Sequence, residues 1–191
     1  MALIDPPRRP NPLLRAGVWA SERVTGRRMV PARLLAWVPR AAVGAGVMEA
    51  LVAHDVPSAR ILRLVRLASS FTVGCAFCID LNAHEREREG VTDAELDALR
   101  RLGTTASDPD GLAAAFPTLD PRERLAVGYA HRVSLTPPDL PAWFTTALTE
   151  TFDERELVTL ASTIAQVNFW ARFNQALGVP PAGFTDVCAL P

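Results

Sequence analysis

The chain has 191 residues, 49% of them hydrophobic and 21% charged, which allows one substantial core and excludes two large ones. Twenty basic against twenty-one acidic residues leave a formal net charge of -1, so no whole-molecule field draws it to nucleic acid or an anionic membrane. Every basic residue is arginine, but Asp and Glu are interspersed among them, which reads as composition rather than a phosphate-binding surface.

Residues 1–30 carry Pro6, Pro7, Pro10 and Pro12, which preclude long regular structure at the start; LLRAGVWASERV can form a short helix within an arm that packs on a neighbour. The early Asp5 and the prolines do not read as a secretory signal, and no apolar run approaches the roughly 18–20 residues of a membrane helix. A soluble, cytoplasmic protein is expected, with one domain over 31–191. The Ala-rich run from Leu34 to about His54 is divided by Pro39 into two short helices. From Ser58 to Val73, apolar residues alternate with Arg60, Arg63 and Arg66 at helical spacing. Gly74 interrupts, and a second helix is expected from about Cys75 to Glu89, with HEREREG as its solvated tail and Gly90 as its cap. Thr92 to Glu95 has capping-box spacing, and residues 104–120 read as loop. Asp120-Pro121-Arg122-Glu123 opens another helix, and Asp153 opens the last long one, stopped by Gly178 and Pro180. No stretch alternates as a strand does, so the fold class is all-α.

One constellation carries chemistry, Cys75-Ala76-Phe77-Cys78. Thiols at i and i+3 share one face of a helix and can close a disulfide there. A position at a helix start favours the thiolate, because unpaired backbone N–H groups and the helix dipole favour negative charge. Two buried small apolar side chains are the bland alternative. A metal needs more ligands than His54, His84, His131 and Cys188 supply at such scattered positions, so neither a metal nor an organic cofactor is expected. Cys188 reads as a bystander thiol.

RLVRLASSFTVGCAFCIDLN, LDPRERLAVGYAHRV and FDERELVTLASTIAQVNFWARFNQALGVPP, in this order, resemble the AhpD-like carboxymuconolactone decarboxylase family over roughly residues 35–182. The resemblance implies a helical bundle, homo-oligomeric assembly and, in the dithiol branch, peroxide reduction or thiol-disulfide exchange with an external dithiol reductant. By that precedent Cys78 attacks and Cys75 resolves, whereas helix-start electrostatics alone favours Cys75. The peroxidase members carry a relay Glu twelve residues before the first Cys and a His four after the second. Those places hold Arg63 and Asn82. Asn82 can orient but cannot shuttle protons. Arg63 either sits near the sulfurs and favours a thiolate, or pairs with Asp80 or Glu49 and leaves the dithiol less activated. His84, six residues past Cys78, should point away from it.

Weaker candidates read as structure. Asn168, Asn174 and Gln175 are expected to be buried amides satisfied by backbone, His131 a partly buried helix histidine, and Trp19, Trp37, Trp143 and Trp170 core or interface anchors. The functional reading is a peroxidase-like or thiol-disulfide oxidoreductase whose candidate catalytic residues are Cys75, Cys78, Asn82 and Arg63. A decarboxylase or lactone-binding protein and a non-enzymatic oligomeric redox sensor are its rivals.

Overall fold

Helices begin where the caps place them. The computed structural model describes residues 2–52, 54–84, 86–102 and 109–185, and among these it shows ten α-helices, one 3-10 turn and no strand, as an all-α chain requires. The helices are α1 (Pro12–Thr25), α2 (Val30–Leu35), α3 (Pro39–Leu51), α4 (Ala59–Val73) and α5 (Ala76–Ala83), then the 3-10 turn Arg86–Glu89. They continue as α6 (Asp93–Arg100), α7 (Pro109–Ala115), α8 (Pro121–Ser134), α9 (Ala142–Thr151) and α10 (Glu154–Ala176). Pro39 stands at the start of α3, where its missing N–H costs nothing. Thr92 with Glu95, Asp120 with Glu123 and Asp153 with Glu156 form full capping boxes at α6, α8 and α10.

Helix α4 is the axis of the bundle. It packs on α8, α10, α5 and α6, and Leu64, Val65, Leu67 and Ala68 are fully buried on it. Its three arginines recur every third residue, so they form one slowly winding stripe, and each meets a carboxylate. Arg60 bonds Glu95 and Glu123 at 2.7 and 2.6 Å, Arg63 bonds Glu89, and Arg66 lies 3.6 Å from Glu49. Arg60 thereby clamps the box glutamates of both α6 and α8. On α8, Gly128 gives room for Phe144 of α9, whose ring lies 3.2 Å from where a Cβ would sit.

Three expectations need correction. The dithiol helix is short: α5 ends at Ala83, His84 is extended, and the 3-10 turn takes the place of a continuous helix to Glu89. The charged tail is not a solvated face throughout, since the Arg86 side chain is 13% exposed and reaches Asp93 and the Ala83 carbonyl. The segment 104–120 holds α7 where only loop is expected, and α9 lies in a stretch where the sequence signals no element. Among the described residues no helix is long and apolar enough to cross a membrane. The arm helix α1 has no buried residue and lies against α3 of its own chain. It is fastened by Glu22, which takes two 2.6 Å hydrogen bonds from Arg33 of α2 and another from the Met29 amide.

Candidate active site

The dithiol is placed by the way α4 ends. Gly74 adopts a left-handed conformation (φ 68°), its N–H donates to the Phe71 carbonyl, and the next N–H, of Cys75, donates to that of Ser70. This paired closure turns the chain within one residue. Cys75 therefore becomes the N-cap of α5, with its Sγ accepting the Cys78 N–H at 3.2 Å. The two sulfurs stand at disulfide-bonding distance, with Cα atoms 5.2 Å apart. Both residues are buried, in a small cluster with Leu34, Phe77, Ala171 and Val179 that is separate from the main core.

Cys78 has two amide neighbours. Asn82, one turn further along α5, donates from Nδ2 to the Cys78 carbonyl (2.9 Å) and to Ser70 Oγ (3.1 Å), tying α5 back onto α4. Asn174 of α10, 2% exposed, places its Nδ2 3.7 Å from Cys78 Sγ, within reach of a sulfur acceptor. Its Oδ1 is buried and accepts no hydrogen bond. Gln175 donates to the Val73 and Gly74 carbonyls, so α10 also grips the turn that precedes Cys75. Of the three α10 amides singled out in the sequence, Asn168 and Gln175 bond backbone as expected, although Gln175 is exposed rather than buried, whereas the buried Asn174 side chain bonds Cys78 Sγ instead.

Neither expected partner of Arg63 is its partner. Its guanidinium takes Glu89 at 3.1 and 3.2 Å and the Asn82 carbonyl at 3.1 Å. Glu49 instead faces Arg66, and Asp80 is fully buried beneath the C-terminal segment. The Asp80 carboxylate accepts the amides of Gly183, Phe184 and Thr185 at 2.8, 3.1 and 2.8 Å, strapping that segment across α5. Burial pushes the Arg66 guanidinium below its ordinary value, an effect that Glu49 opposes and Arg63 reinforces.

A cavity of about 1040 Å³ lies between the bundle and the arm. Leu13, Leu14, Gly17 and Val18 of α1 wall one side, α3 another, and Phe77, Cys78, Leu81 and Asn82 the floor. Cys78 lines it and Cys75 does not. Arg63, Arg66, Glu49, Glu89, Trp170 and Asn174 also line it. So does His84: because α5 stops at Ala83, a helical wheel extended to residue 84 misplaces it, and its ring packs on Phe184 with centroids 4.9 Å apart.

Of the other candidates among the described residues, His54 and Trp170 line this cavity and the rest do not. His131 is half-buried with Nδ1 2.9 Å from Thr72 Oγ1, and burial, then Arg132, lower its pKa. Trp19 and Trp37 are more than half exposed and Trp143 is 40% exposed, so these three are not core anchors, while Trp170 forms cavity wall. Among the described residues no group of three or more His, Cys, Asp or Glu is placed to hold a metal. Cys188 lies outside the described residues. Glu89 and Asn174 are the site residues that sequence reasoning missed. Glu89 sits in a charged run, and only the pattern of Arg63 where a carboxylate belongs hints at a partner from elsewhere.

No protein-family model matches the chain. It is 30% identical over 184 residues to the uncharacterized protein YnjA of Escherichia coli, covering 94% of this chain and 92% of that one. It is 26% identical over 116 residues to the uncharacterized protein YdfG of Bacillus subtilis, covering 60% and 71% of the two chains. Among solved structures it superposes on the apo debrominase Bmp8 with TM-score 0.70 and 21% identity, covering 91% of this chain and 88% of that one. It also superposes on a cysteine-to-alanine variant of Bmp8 in complex with 2,3,4-tribromopyrrole, with TM-score 0.70, 19% identity and 96% of each chain covered. A putative antioxidant defence protein AhpD from Agrobacterium tumefaciens matches with TM-score 0.63 and 20% identity, covering 77% of this chain and 94% of that one. With the full-length relationship and the shared bundle taken together, the chain belongs to the same family as YnjA and has the AhpD-like helical fold.

Proposed function

We propose that the protein is a dithiol oxidoreductase that reduces an organic peroxide or disulfide, with Cys78 attacking and Cys75 resolving. One observation carries the assignment: of the two sulfurs, Cys78 faces the cavity beside the Asn174 amide, while Cys75 sits behind it at the helix cap. With a hydroperoxide, the Cys78 thiolate attacks the terminal oxygen, the O–O bond breaks, and the alkoxide leaves and takes a proton from water. The Cys75 thiolate then attacks the sulfenic sulfur, the S–S bond forms, and hydroxide departs. An external dithiol restores the pair by exchange and is itself oxidised. The Cys78 N–H and the helix start stabilise the Cys75 thiolate for its step. Asn82 orients α5 rather than moving protons, and Arg63 acts through Glu89 and the Asn82 carbonyl as a positioning residue.

Such a cycle suits a reducing compartment, in keeping with a cytoplasmic, homo-oligomeric protein. The test is consumption of cumene hydroperoxide with dithiothreitol as reductant. Turnover by the wild type and its loss in Cys78→Ser support the proposal, and thiols inert to both hydroperoxide and disulfide contradict it. The bulk of the cavity also favours a second reading, reductive dehalogenation, an activity named for one fold neighbour. In that reaction the dithiol supplies two electrons, C–Br becomes C–H plus bromide, and the pair becomes a disulfide. Bromide release from 2,3,4-tribromopyrrole separates it from peroxide reduction.

A further inference from the structure

Arg66 is the unusual charge in the cavity wall. Its side chain is 16% exposed, yet among the described residues its guanidinium makes no hydrogen bond and has a single ion-pair neighbour, Glu49, at 3.6 Å. The two arginines before it on α4 differ sharply. Arg60 and Arg63 each hold carboxylate oxygens and a backbone carbonyl. Glu49 is itself 46% exposed and also lies 3.3 Å from the Trp170 indole nitrogen, so it is a loose, solvent-side counterion rather than a fitted one. A guanidinium carries five donors in a planar fork, and with Glu49 alone beside it at 3.6 Å those of Arg66 can be taken by a group that enters the cavity. The matching group is a carboxylate, which such a fork grips through two parallel hydrogen bonds.

The remaining wall says what the carboxylate is attached to. Leu14, Val18, Val43, Leu62 and Phe77 are apolar, and a volume of about 1040 Å³ is too large for an inorganic anion and fits a drug-sized or fatty molecule. Arg66 is also connected to the dithiol. Its carbonyl accepts the Ser70 hydroxyl, Ser70 accepts from Asn82, and Asn82 holds the Cys78 carbonyl. We propose that the cavity binds an organic monocarboxylic acid with a bulky apolar body, its carboxylate on Arg66 in place of Glu49 and its apolar body extending toward Cys78. This names the substrate class for the dithiol site and rests on that reading for its catalytic meaning.

The test is equilibrium binding of decanoate and decan-1-ol to the full-length protein by calorimetry. Neither probe can be reduced, so the result is independent of whether the dithiol turns over. Wild type should bind decanoate at least about tenfold tighter than decan-1-ol, the order expected of a charge-assisted pair. Arg66→Met should abolish that preference while retaining decan-1-ol, which also reports that the cavity has folded. Glu49→Gln should tighten decanoate by removing its competitor. Equal affinity of the wild type for the two probes, or a preference that survives Arg66→Met, overturns the proposal. If Arg66→Met does not fold, the wild-type comparison and Glu49→Gln still decide it, since decanoate affinity unchanged or weakened in Glu49→Gln also counts against it.

Discussion

Asn174 offers Cys78 a donor across 96 residues of sequence while its own Oδ1 goes unmatched, an arrangement suited to a sulfur that becomes anionic. One such hydrogen bond contributes about 1 kcal/mol, so Asn174→Ala should slow alkylation of Cys78 by roughly fivefold in a Cys75→Ser background. An unchanged iodoacetamide rate would reduce Asn174 to packing. Arg63 differs, because its charge is matched by Glu89. Arg63→Ala should leave the Cys78 alkylation rate within about twofold while loosening the 3-10 turn, which hydrogen exchange would register. A large fall in rate would restore Arg63 as an activator. Neither contact was legible in the sequence. The CxxC pair and the substitutions at residues 63 and 82 could be read directly, but Arg63–Glu89 and Asn174–Cys78 join segments that no local periodicity relates.

At the scale of helices, the legible features were those encoded within four or five residues. The boxes at Thr92, Asp120 and Asp153 and the Gly74 stop all stand where the sequence puts them. Helix α9 has no side-chain cap bond, and its Phe144 is held by packing on Gly128, a tertiary fact. Gly74→Ala should cost about 1 kcal/mol, because only glycine occupies its left-handed conformation freely, and should displace Cys75 from its cap. The Arg60 clamp adds a pH dependence. Burial raises the Glu95 pKa, but hydrogen bonds from Arg60 and Thr92 outweigh it, and the net value lies below the ordinary 4.5. A depressed carboxyl pKa stabilises the fold above that value, and the contribution is lost as the pH falls below it. Arg60→Ala should lose about 3 kcal/mol in urea denaturation at neutral pH, with a flatter acid limb than wild type. An equally steep limb would mean that other carboxylates carry the acid response.

At the scale of the whole molecule, the site is a cavity that the bundle cannot close alone: the arm provides one wall although no residue of α1 is buried. Composition announces an arm through its prolines but cannot say which surface it covers, since α1 is amphipathic without being apolar enough to specify a partner. The Arg33 hydrogen bonds hold the Glu22 carboxyl below its ordinary range and fasten α1 to α2. Arg33→Ala should therefore speed amide exchange throughout α1 and leave α4 and α10 protected, whereas unchanged α1 exchange would place the fastening elsewhere. Behind that wall stands the central claim, a dithiol whose cavity-facing sulfur reacts first. It is tested most directly by thiol counting by mass after a stoichiometric pulse of peroxide on wild type, Cys75→Ser and Cys78→Ser. The account predicts loss of two hydrogens in wild type alone and a trapped sulfenate on Cys78 in Cys75→Ser. A sulfenate on Cys75 in Cys78→Ser and none on Cys78 would reverse the roles, and thiols that stay reduced in all three would contradict the account.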